Sequence, residues 1–422
     1  MSSTIGSRAL LALAIVSPLL GGVEAFASVL PPFQTAAATP RAAWQPALQR
    51  QSAPGSFAQR VRQSPLRVRT RKAAAPLGMA ASSSAGGFKV GVVGVTGAVG
   101  AEILGVLNKR GFPVSSLHAF ASAKSAGKVV PAEGFGDIVV EEFTLEAARG
   151  MDVVFLAVDG DFAAAWAEKI TADDGPWVID NSSQFRYTDG VPLVVPEING
   201  EECKKNKLIA NPNCTTAIAL MAIFPLFKEF GLKRMIMSTY QAASGAGAPG
   251  MNELEEGVKS YVAGSDLAGT NSVFAHPLPF NVIPHIDKFQ ENQYTKEEMK
   301  VVWETRKIMS VPDLPASCTC VRIPTFRAHA EAITIETEKP CSPDRARELL
   351  AVAPGVRLVD SPAENIYPMP ITATAQYDVE VGRIRRSEAF GDMGLDLFVC
   401  GDQLLRGAAL NAVLVAECAL EL

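Results

Sequence analysis

"FKVGVVGVTGAVGAEILGVLNKRGFP", Phe88 to Pro113, decides how the chain begins to fold. A short apolar strand, Phe88 to Val93, runs into glycines at 91, 94, 97 and 100, then into an amphipathic stretch, Ala101 to Lys109, closed by Gly111. Gly94 and Gly97 allow a tight turn and close approach to a pyrophosphate, whose charge the N–H groups of the new helix receive. Strand, glycine turn and helix together form a dinucleotide-binding context; a βα turn that binds nothing is the alternative. At the end of the second strand, "LHAFASAKSAGKVV" offers Ser122, Lys124, Ser125 and Lys128 and no acid to hold a ribose 2′-hydroxyl. Hydroxyls and ammonium groups suit a 2′-phosphate, which favours NADP(H) over NAD. "MDVVFLAV" (Met151 to Val158) and "PWVIDNSS" (Pro176 to Ser183) read as further buried parallel strands with polar carboxyl ends, where such sheets carry their ligands.

With 422 residues, 48% apolar and 20% charged, the chain has room for two or three domains and the composition of a globular protein. Residues 1–87 hold nine Lys/Arg against Glu24 alone, so a +8 leader precedes a −13 body. An acidic body argues against a nucleic-acid-binding surface, which needs clustered positive charge. Within the leader, "ALLALAIVSPLL" after Arg8 has the form of a signal peptide and is too short for a comfortable membrane span. From Ala25 to Gly87 there is no acid, and Ala, Ser, Pro, Gln and Arg dominate, as in a transit peptide. Signal then transit peptide, with Phe26 near the junction, resembles the bipartite leaders of complex plastids. The expected location is the plastid stroma, and a secreted protein with a basic tail is the alternative. The seven cysteines are odd in number, without Cys-x-x-Cys pairs or zinc-like histidine spacing, so reduced thiols and no metal are expected.

One thiol is differently placed. "NPNCTTAIALM", Asn211 to Met221, sets Cys214 between a turn and a helix-compatible run, where backbone N–H groups and the helix dipole favour a thiolate. A small buried hydrophobe is the other reading of such a cysteine. "YTKEEMKVVWETRKIM", Tyr294 to Met309, reads as a helix with Glu297 and Lys300 on one face. "RIPTFRAHAE", Arg322 to Glu331, reads as strand-like, and "GDQLLRGAALNAVLVAECA", from Gly401, as a helix returning to the first domain.

With Gly94-x-x-Gly97-x-x-Gly100, "SAKSAGK", "DNSSQFR", "NPNCTT", "SGAGAPG" and "RIPTFRAHAE" in this order, residues 88–422 resemble the aspartate-semialdehyde dehydrogenases. The resemblance implies an α/β fold: a Rossmann-like NADP-binding domain, 88–213 with 393–422, and an inserted mixed-sheet catalytic and dimerisation domain, 214–392. It implies a homodimer or homotetramer that reduces L-aspartyl 4-phosphate to L-aspartate 4-semialdehyde, with no nucleic-acid or membrane partner for the mature form. Cys214 falls on the family's acyl-carrying nucleophile, His329 on its acid/base histidine and Gln241 on the glutamine that positions the acyl intermediate. Arg322 falls on the substrate-carboxylate arginine, with Arg327 the tempting confusion, and Glu297 on the contact to the amino group. Lys300, Arg186 and Asn213 fall on the phosphate site. Gly94, Thr96, Gly97, Ala98, Val99, Gly100, Ser122, Lys124, Ser125, Ser244, Gly245, Gly247 and Gln403 fall on cofactor contacts. Ala328 and Ala330 stand where the common pattern has Gly and Ser around the histidine. The nearest rival is an N-acetyl-glutamyl-phosphate reductase; "NPNCTT" and Glu297, suited to a free ammonium, argue against it. A nucleotide-sensing protein without turnover is the other rival, disfavoured by the intact set of Cys214, Gln241, Arg322 and His329.

Overall fold

Phe88 pairs with the chain just past the Gly111 turn, and from that pairing a sheet grows in both directions. The computed structural model describes residues 86–267, 269 and 271–422; the expected leader lies, up to residue 85, outside the described residues. The first sheet contains β1 (Phe88–Val93), β2 (Val114–Ala121), β3 (Val129–Ala132), β4 (Gly136–Glu142), β5 (Val153–Leu156), β6 (Trp177–Asp180) and β7 (Leu208–Ala210). Their order is β3-β4-β2-β1-β5-β6-β7, parallel throughout except for the β3–β4 hairpin. The chain leaves β1 towards β2 on one side and later towards β5 on the other. This reversal opens a crevice at the carboxyl end of β1, the usual ligand position in such sheets.

Among the described residues ten helices accompany the strands: α1 (Ala98–Arg110), α2 (Leu145–Arg149), α3 (Gly160–Thr171), α4 (Pro196–Asn199), α5 (Cys214–Phe230), α6 (Gly247–Val262), α7 (Lys296–Ile308), α8 (Pro343–Val352), α9 (Pro370–Ala373) and α10 (Leu410–Leu420). The second sheet holds β8 (Arg234–Gln241), β9 (Ala316–Arg322), β10 (His329–Glu336), β11 (Val356–Leu358), β12 (Val379–Ser387) and β13 (Gly391–Gly401), in the order β11-β12-β13-β10-β8-β9. It is mixed, with β8–β9 and β11–β12 parallel and the rest antiparallel. A Rossmann-like sheet plus a mixed α/β sheet is the architecture expected. α5 is buried almost all round, as suits a helix enclosed by core. Ile218, Leu220 and Ile223 of α5 join Met237, Ile333 and Leu397 of the second sheet and Val154 and Leu156 of the first in one apolar cluster. A second cluster, with Val90, Ile103, Phe155, Leu410 and Val413, fixes α1 and α10 on the other face of the first sheet.

Three expectations need correction. The return to the first domain does not begin at 393, because Gly391–Gly401 is β13, whose Leu395, Leu397 and Val399 pack in the core beneath α5. "RIPTFRAHAE" is not one strand: β9 ends at Arg322, the chain turns, and β10 starts at His329. The carbonyls of Thr325 and Phe326 accept from Ala243 and Ser244 N–H at 2.8 and 3.1 Å, bonds a continuous strand would not offer. The C-terminal helix opens as a π-turn, Leu405–Ala409, before α10.

Two glycines of α1 and its entry turn predict opposite outcomes. Gly94 has φ +84°, and a Cβ there would meet the Ala157 carbonyl oxygen at 2.3 Å; Gly105, inside α1, has open space around it. Gly94→Ala is expected to cost at least about 2 kcal/mol, from the left-handed conformation and the clash together. Gly105→Ala is expected to stabilise by about 0.4–1 kcal/mol. Urea unfolding of the two variants measures both signs.

Candidate active site

The first turn of α5 is built around Asn213. Its Oδ1 accepts from the N–H groups of Thr215 and Thr216 at 3.1 and 3.2 Å, its Nδ2 donates to Glu297 Oε1 at 2.9 Å, and its own N–H donates to Glu304 Oε2 at 2.6 Å. Cys214 is thereby held as the first helical residue, partly exposed at a cavity wall. The π-turn crosses directly over it: a Cβ on Gly407 would lie 2.5 Å from the Cys214 Cβ.

α7 supplies the acids. Thr295 and Glu298 close its N-terminus as a capping box, which fixes Glu297, Lys300 and Glu304 along the face towards α5. Glu297 Oε1 also accepts from Gln241 Nε2 at 3.2 Å, and its Oε2 from Lys300 Nζ at 3.0 Å. Burial opposes ionisation of Glu297, but Lys300 and the Asn213 and Gln241 bonds outweigh it and hold the carboxyl at about 2. Lys300 also reaches Asp287 at 2.9 Å, leaving one ammonium proton for a ligand. Arg186 is more heavily committed: Nε to the Asn211 carbonyl at 2.9 Å, Nη1 to Glu304 at 3.0 Å and Nη2 to the Asn181 carbonyl at 3.1 Å. Two of its five N–H groups remain for a ligand.

The second sheet brings the remaining groups. Gln241 and Arg322 end the adjacent parallel strands β8 and β9, and His329 begins β10. Arg322 Nη1 donates to the Ala242 carbonyl at 2.5 Å, which leaves the other edge of the guanidinium towards the cavity. The Ala242 N–H donates to His329 Nδ1 at 3.1 Å, and His329 Nε2 lies 3.4 Å from the Gln241 amide nitrogen. An imidazole accepting at Nδ1 carries its proton on Nε2. Burial, and then the Arg322 charge, pushes the His329 pKa down to about 3, so the ring is neutral.

A cavity of about 530 Å³ gathers Cys214, Asn213, Gln241, Glu297, Lys300, Arg186 and Arg322 with Val99, Ser244, Gly245 and Gln403. His329 lies just behind its wall, where a Cβ on Gly245 would be 3.4 Å from the imidazole Cε1. Gln403 Oε1 accepts from Ala328 N–H at 2.8 Å and its Nε2 donates to Ser244 Oγ. Gly247, with φ +70°, starts α6 away from the cavity wall. Gly94, Thr96, Gly97, Ala98 and Gly100 form the turn into α1, whose N-cap, Gly97, makes no side-chain capping bond and whose first turn has no acid. Ser122, Lys124 and Ser125 follow β2 on the surface, and Lys124 has no ion-pair partner among the described residues.

Two expectations change. Burial, then the Glu297 charge, pushes the Cys214 thiol up, against Thr215, Arg186 and Lys300, so the resting residue is a thiol despite its helix start. Arg327 does not compete with Arg322: it bonds Glu102 and Asp402 outside the cavity. Sequence reasoning missed Glu304, which is fully buried and accepts from Arg186, Tyr187 and Asn213 together. Its place seven residues after Glu297, on the same helical face, was the available signal.

A family model described as "Semialdehyde dehydrogenase, NAD binding domain" matches residues 89–206, and "Semialdehyde dehydrogenase, dimerisation domain" matches 223–406. An aspartate-semialdehyde dehydrogenase of Aquifex aeolicus is 45% identical over 340 residues, covering 78% of this chain and 97% of that protein. The chain belongs to the aspartate-semialdehyde dehydrogenase family. Among solved structures, aspartate-semialdehyde dehydrogenase II of Vibrio cholerae, complexed with ASA, superposes with a TM-score of 0.75 at 37% identity, covering 79% of this chain and 98% of that one. The Candida albicans aspartate-semialdehyde dehydrogenase with NADP gives 0.61 at 25% identity, covering 79% and 98%. Family membership thus covers both sheets and the cleft between them.

Glu304 is predicted to matter most where Arg186 and the first turn of α5 meet. Glu304→Ala leaves Arg186 buried without its carboxylate and should cost about 3–5 kcal/mol in urea unfolding. Glu304→Gln, which keeps an acceptor for the Asn213 N–H, should cost clearly less. Equal and small losses for both would show that the charge pair holds nothing.

Proposed function

We propose that the protein is an NADP-dependent aspartate-semialdehyde dehydrogenase, reducing L-aspartyl 4-phosphate to L-aspartate 4-semialdehyde and phosphate in the biosynthesis of lysine, threonine, methionine and isoleucine. The observation that carries it is the convergence of Cys214, Gln241, Glu297 and Arg322 on one cavity that also meets the start of α1 at Val99. The residues fit the cofactor. The first turn of α1 presents N–H groups without a capping side chain or a repelling acid, and Lys124, beyond β2, has no ion-pair partner among the described residues. Gly94, Thr96, Gly97, Ala98, Val99 and Gly100 would hold the pyrophosphate, Ser122, Lys124 and Ser125 the 2′-phosphate. Ser244, Gly245 and Gln403 would hold the nicotinamide end. When bound, NADPH supplies the hydride.

The chain's own groups account for the rest. Glu297, ionised in its buried niche, holds the substrate ammonium, and the free edge of Arg322 holds the α-carboxylate. The remaining protons of Arg186 and Lys300, near the Asn213 cap, face the phosphate. Cys214 attacks the acyl carbon; its C–S bond forms as the C–O bond to phosphate breaks, and a thioester results. The thiol proton leaves with this step and ends on the departing phosphate as hydrogen phosphate; His329 can relay it only when the Ala242 N–H releases Nδ1. With its proton on Nε2, the neutral ring instead donates towards the oxyanion that forms on reduction, beside the Gln241 amide. A free ammonium against Glu297 is what favours aspartyl phosphate over an N-acylated substrate.

The finer aspects of this reading concern assembly and destination. The dimerisation-domain match supports a homodimer; a tetramer is the larger assembly to be distinguished by sizing in solution. The basic leader, with Glu24 its one acid and none from Ala25 to Gly87, supports import into a complex plastid through the bipartite route. A fusion of residues 1–87 to a fluorescent protein should enter plastids in cells with that route and remain outside them in others. Export to the medium would favour secretion.

The decisive assay follows NADPH formation from L-aspartate 4-semialdehyde, phosphate and NADP, with NAD in parallel. Turnover with NADP is expected; inertness with both aspartyl and N-acetyl-glutamyl substrates would leave a nucleotide-binding protein. Lys124→Glu should weaken NADP at least about tenfold relative to NAD, since a lost charged hydrogen bond is worth roughly 1.5–3 kcal/mol. Equal losses for both cofactors would remove Lys124 from the 2′-phosphate site.

A further inference from the structure

Arg327 lies outside the cavity, and no step above uses it. Its Nη1 donates to Glu102 Oε1 at 2.5 Å and its Nε to Asp402 Oδ2 at 2.6 Å. These two carboxylates belong to different parts of the molecule. Glu102 lies on α1, one turn beyond Ala98, where the nucleotide phosphates are expected. Asp402, fully buried, organises the entry to the π-turn: Oδ1 accepts from Leu404 N–H at 3.0 Å, and its carbonyl from Leu405 and Gly407 N–H at 3.1 and 3.3 Å. Gly407 is the residue pressed against Cys214.

The residues after Arg327 complete the link. Ala328 has φ +68°, a backbone conformation that side-chain-bearing residues rarely adopt and keep only where their surroundings over-determine it. In that conformation its N–H reaches Gln403 Oε1 at 2.8 Å, and the next residue is His329. Its Cβ packs with Ala330, Ala373 and Cys400. On one side Arg327 therefore holds the helix of the phosphate turn, and on the other the strained link that aims His329 and Gln403.

We propose that Arg327 is a positioning residue, which couples nucleotide binding at the start of α1 to the placement of Gln403 and His329. The proposal rests on the dehydrogenase reading above. A planar guanidinium can span two carboxylates in fixed geometry; an ammonium on a flexible stem satisfies one at a time. With the clamp loosened, Ala328 relaxes towards ordinary φ, its N–H leaves Gln403, and the imidazole shifts with it. The cofactor then binds to a helix no longer tied to the chemistry.

The test uses the full-length enzyme, wild type beside Arg327→Lys, Glu102→Gln and the double variant. NADP affinity is measured by calorimetry, kcat and KM for L-aspartate 4-semialdehyde at saturating NADP and phosphate, and folding by urea unfolding. Glu102→Gln, remote from the reacting atoms, should weaken NADP about threefold or more and lower kcat about fivefold or more, with KM for the semialdehyde within about twofold. Arg327→Lys should do the same more strongly, with a shifted pH profile of kcat and an unfolding midpoint close to wild type. The double variant should be no worse than Arg327→Lys alone, because both changes break one linkage. Wild-type NADP affinity and kcat in both single variants, or additive losses that track stability, would overturn the proposal. An inactive wild type would instead sink the functional reading, and the calorimetric comparison would still decide whether Arg327 and Glu102 act together on the nucleotide.

Discussion

The amino end of α5 is the constraint on which the rest of the site depends. Asn213 must cap the helix with one side of its amide and meet Glu297 with the other, while its backbone N–H is held by Glu304. That single residue fixes the cysteine's direction and ties it to α7. Glu304 holds Arg186 in turn, so the start of α5 at Cys214, Glu297 and Arg186 share one buried hydrogen-bonded frame. Such frames are stable only when every member is satisfied. The apolar flanks of α5, gripped between the two sheets, supply the rigidity that keeps the frame from relaxing.

The frame also sets the protonation states. Glu297 is kept ionised by Lys300 and two amides, and its charge, with burial, raises the Cys214 thiol. The ammonium group of the substrate would neutralise that charge on arrival. Neutralising it would remove one of the influences that keep the sulfur protonated, burial being the larger. His329 is neutral for a related reason, since burial and then the Arg322 charge hold its charged form down.

Much of this was legible in the chain. The strand–glycine–helix passage from Phe88, the helix from Tyr294 and the pair Glu297/Lys300 follow local periodicity, and local periodicity survived into the structure. The cysteine's place at a helix start was equally readable, but its thiol state was not, because burial and the Glu297 carboxylate come from α7, over eighty residues away. The break inside "RIPTFRAHAE" was hidden for a similar reason. Pro324 was a readable signal against one strand, but the remaining side chains of 323–328 suit a strand, and the carbonyl contacts to Ala243 and Ser244 and the positive φ of Ala328 give the turn its form. The burial of Glu304 depends on Arg186 and Asn213 arriving from the first sheet, which no local pattern in the helix shows. Residues 393–401 alternate in a way that suits either sheet, and the register with β10 decides between them.

The most direct measurement of the central claim is peptide mass spectrometry on the full-length enzyme after incubation with L-aspartate 4-semialdehyde and NADP in the absence of phosphate. Oxidation of the thiohemiacetal without phosphate to release it should leave an aspartyl thioester on the peptide containing Cys214, discharged when phosphate is added and absent from Cys214→Ala. An adduct on another cysteine, or none in an enzyme that turns over once phosphate is supplied, would contradict the account.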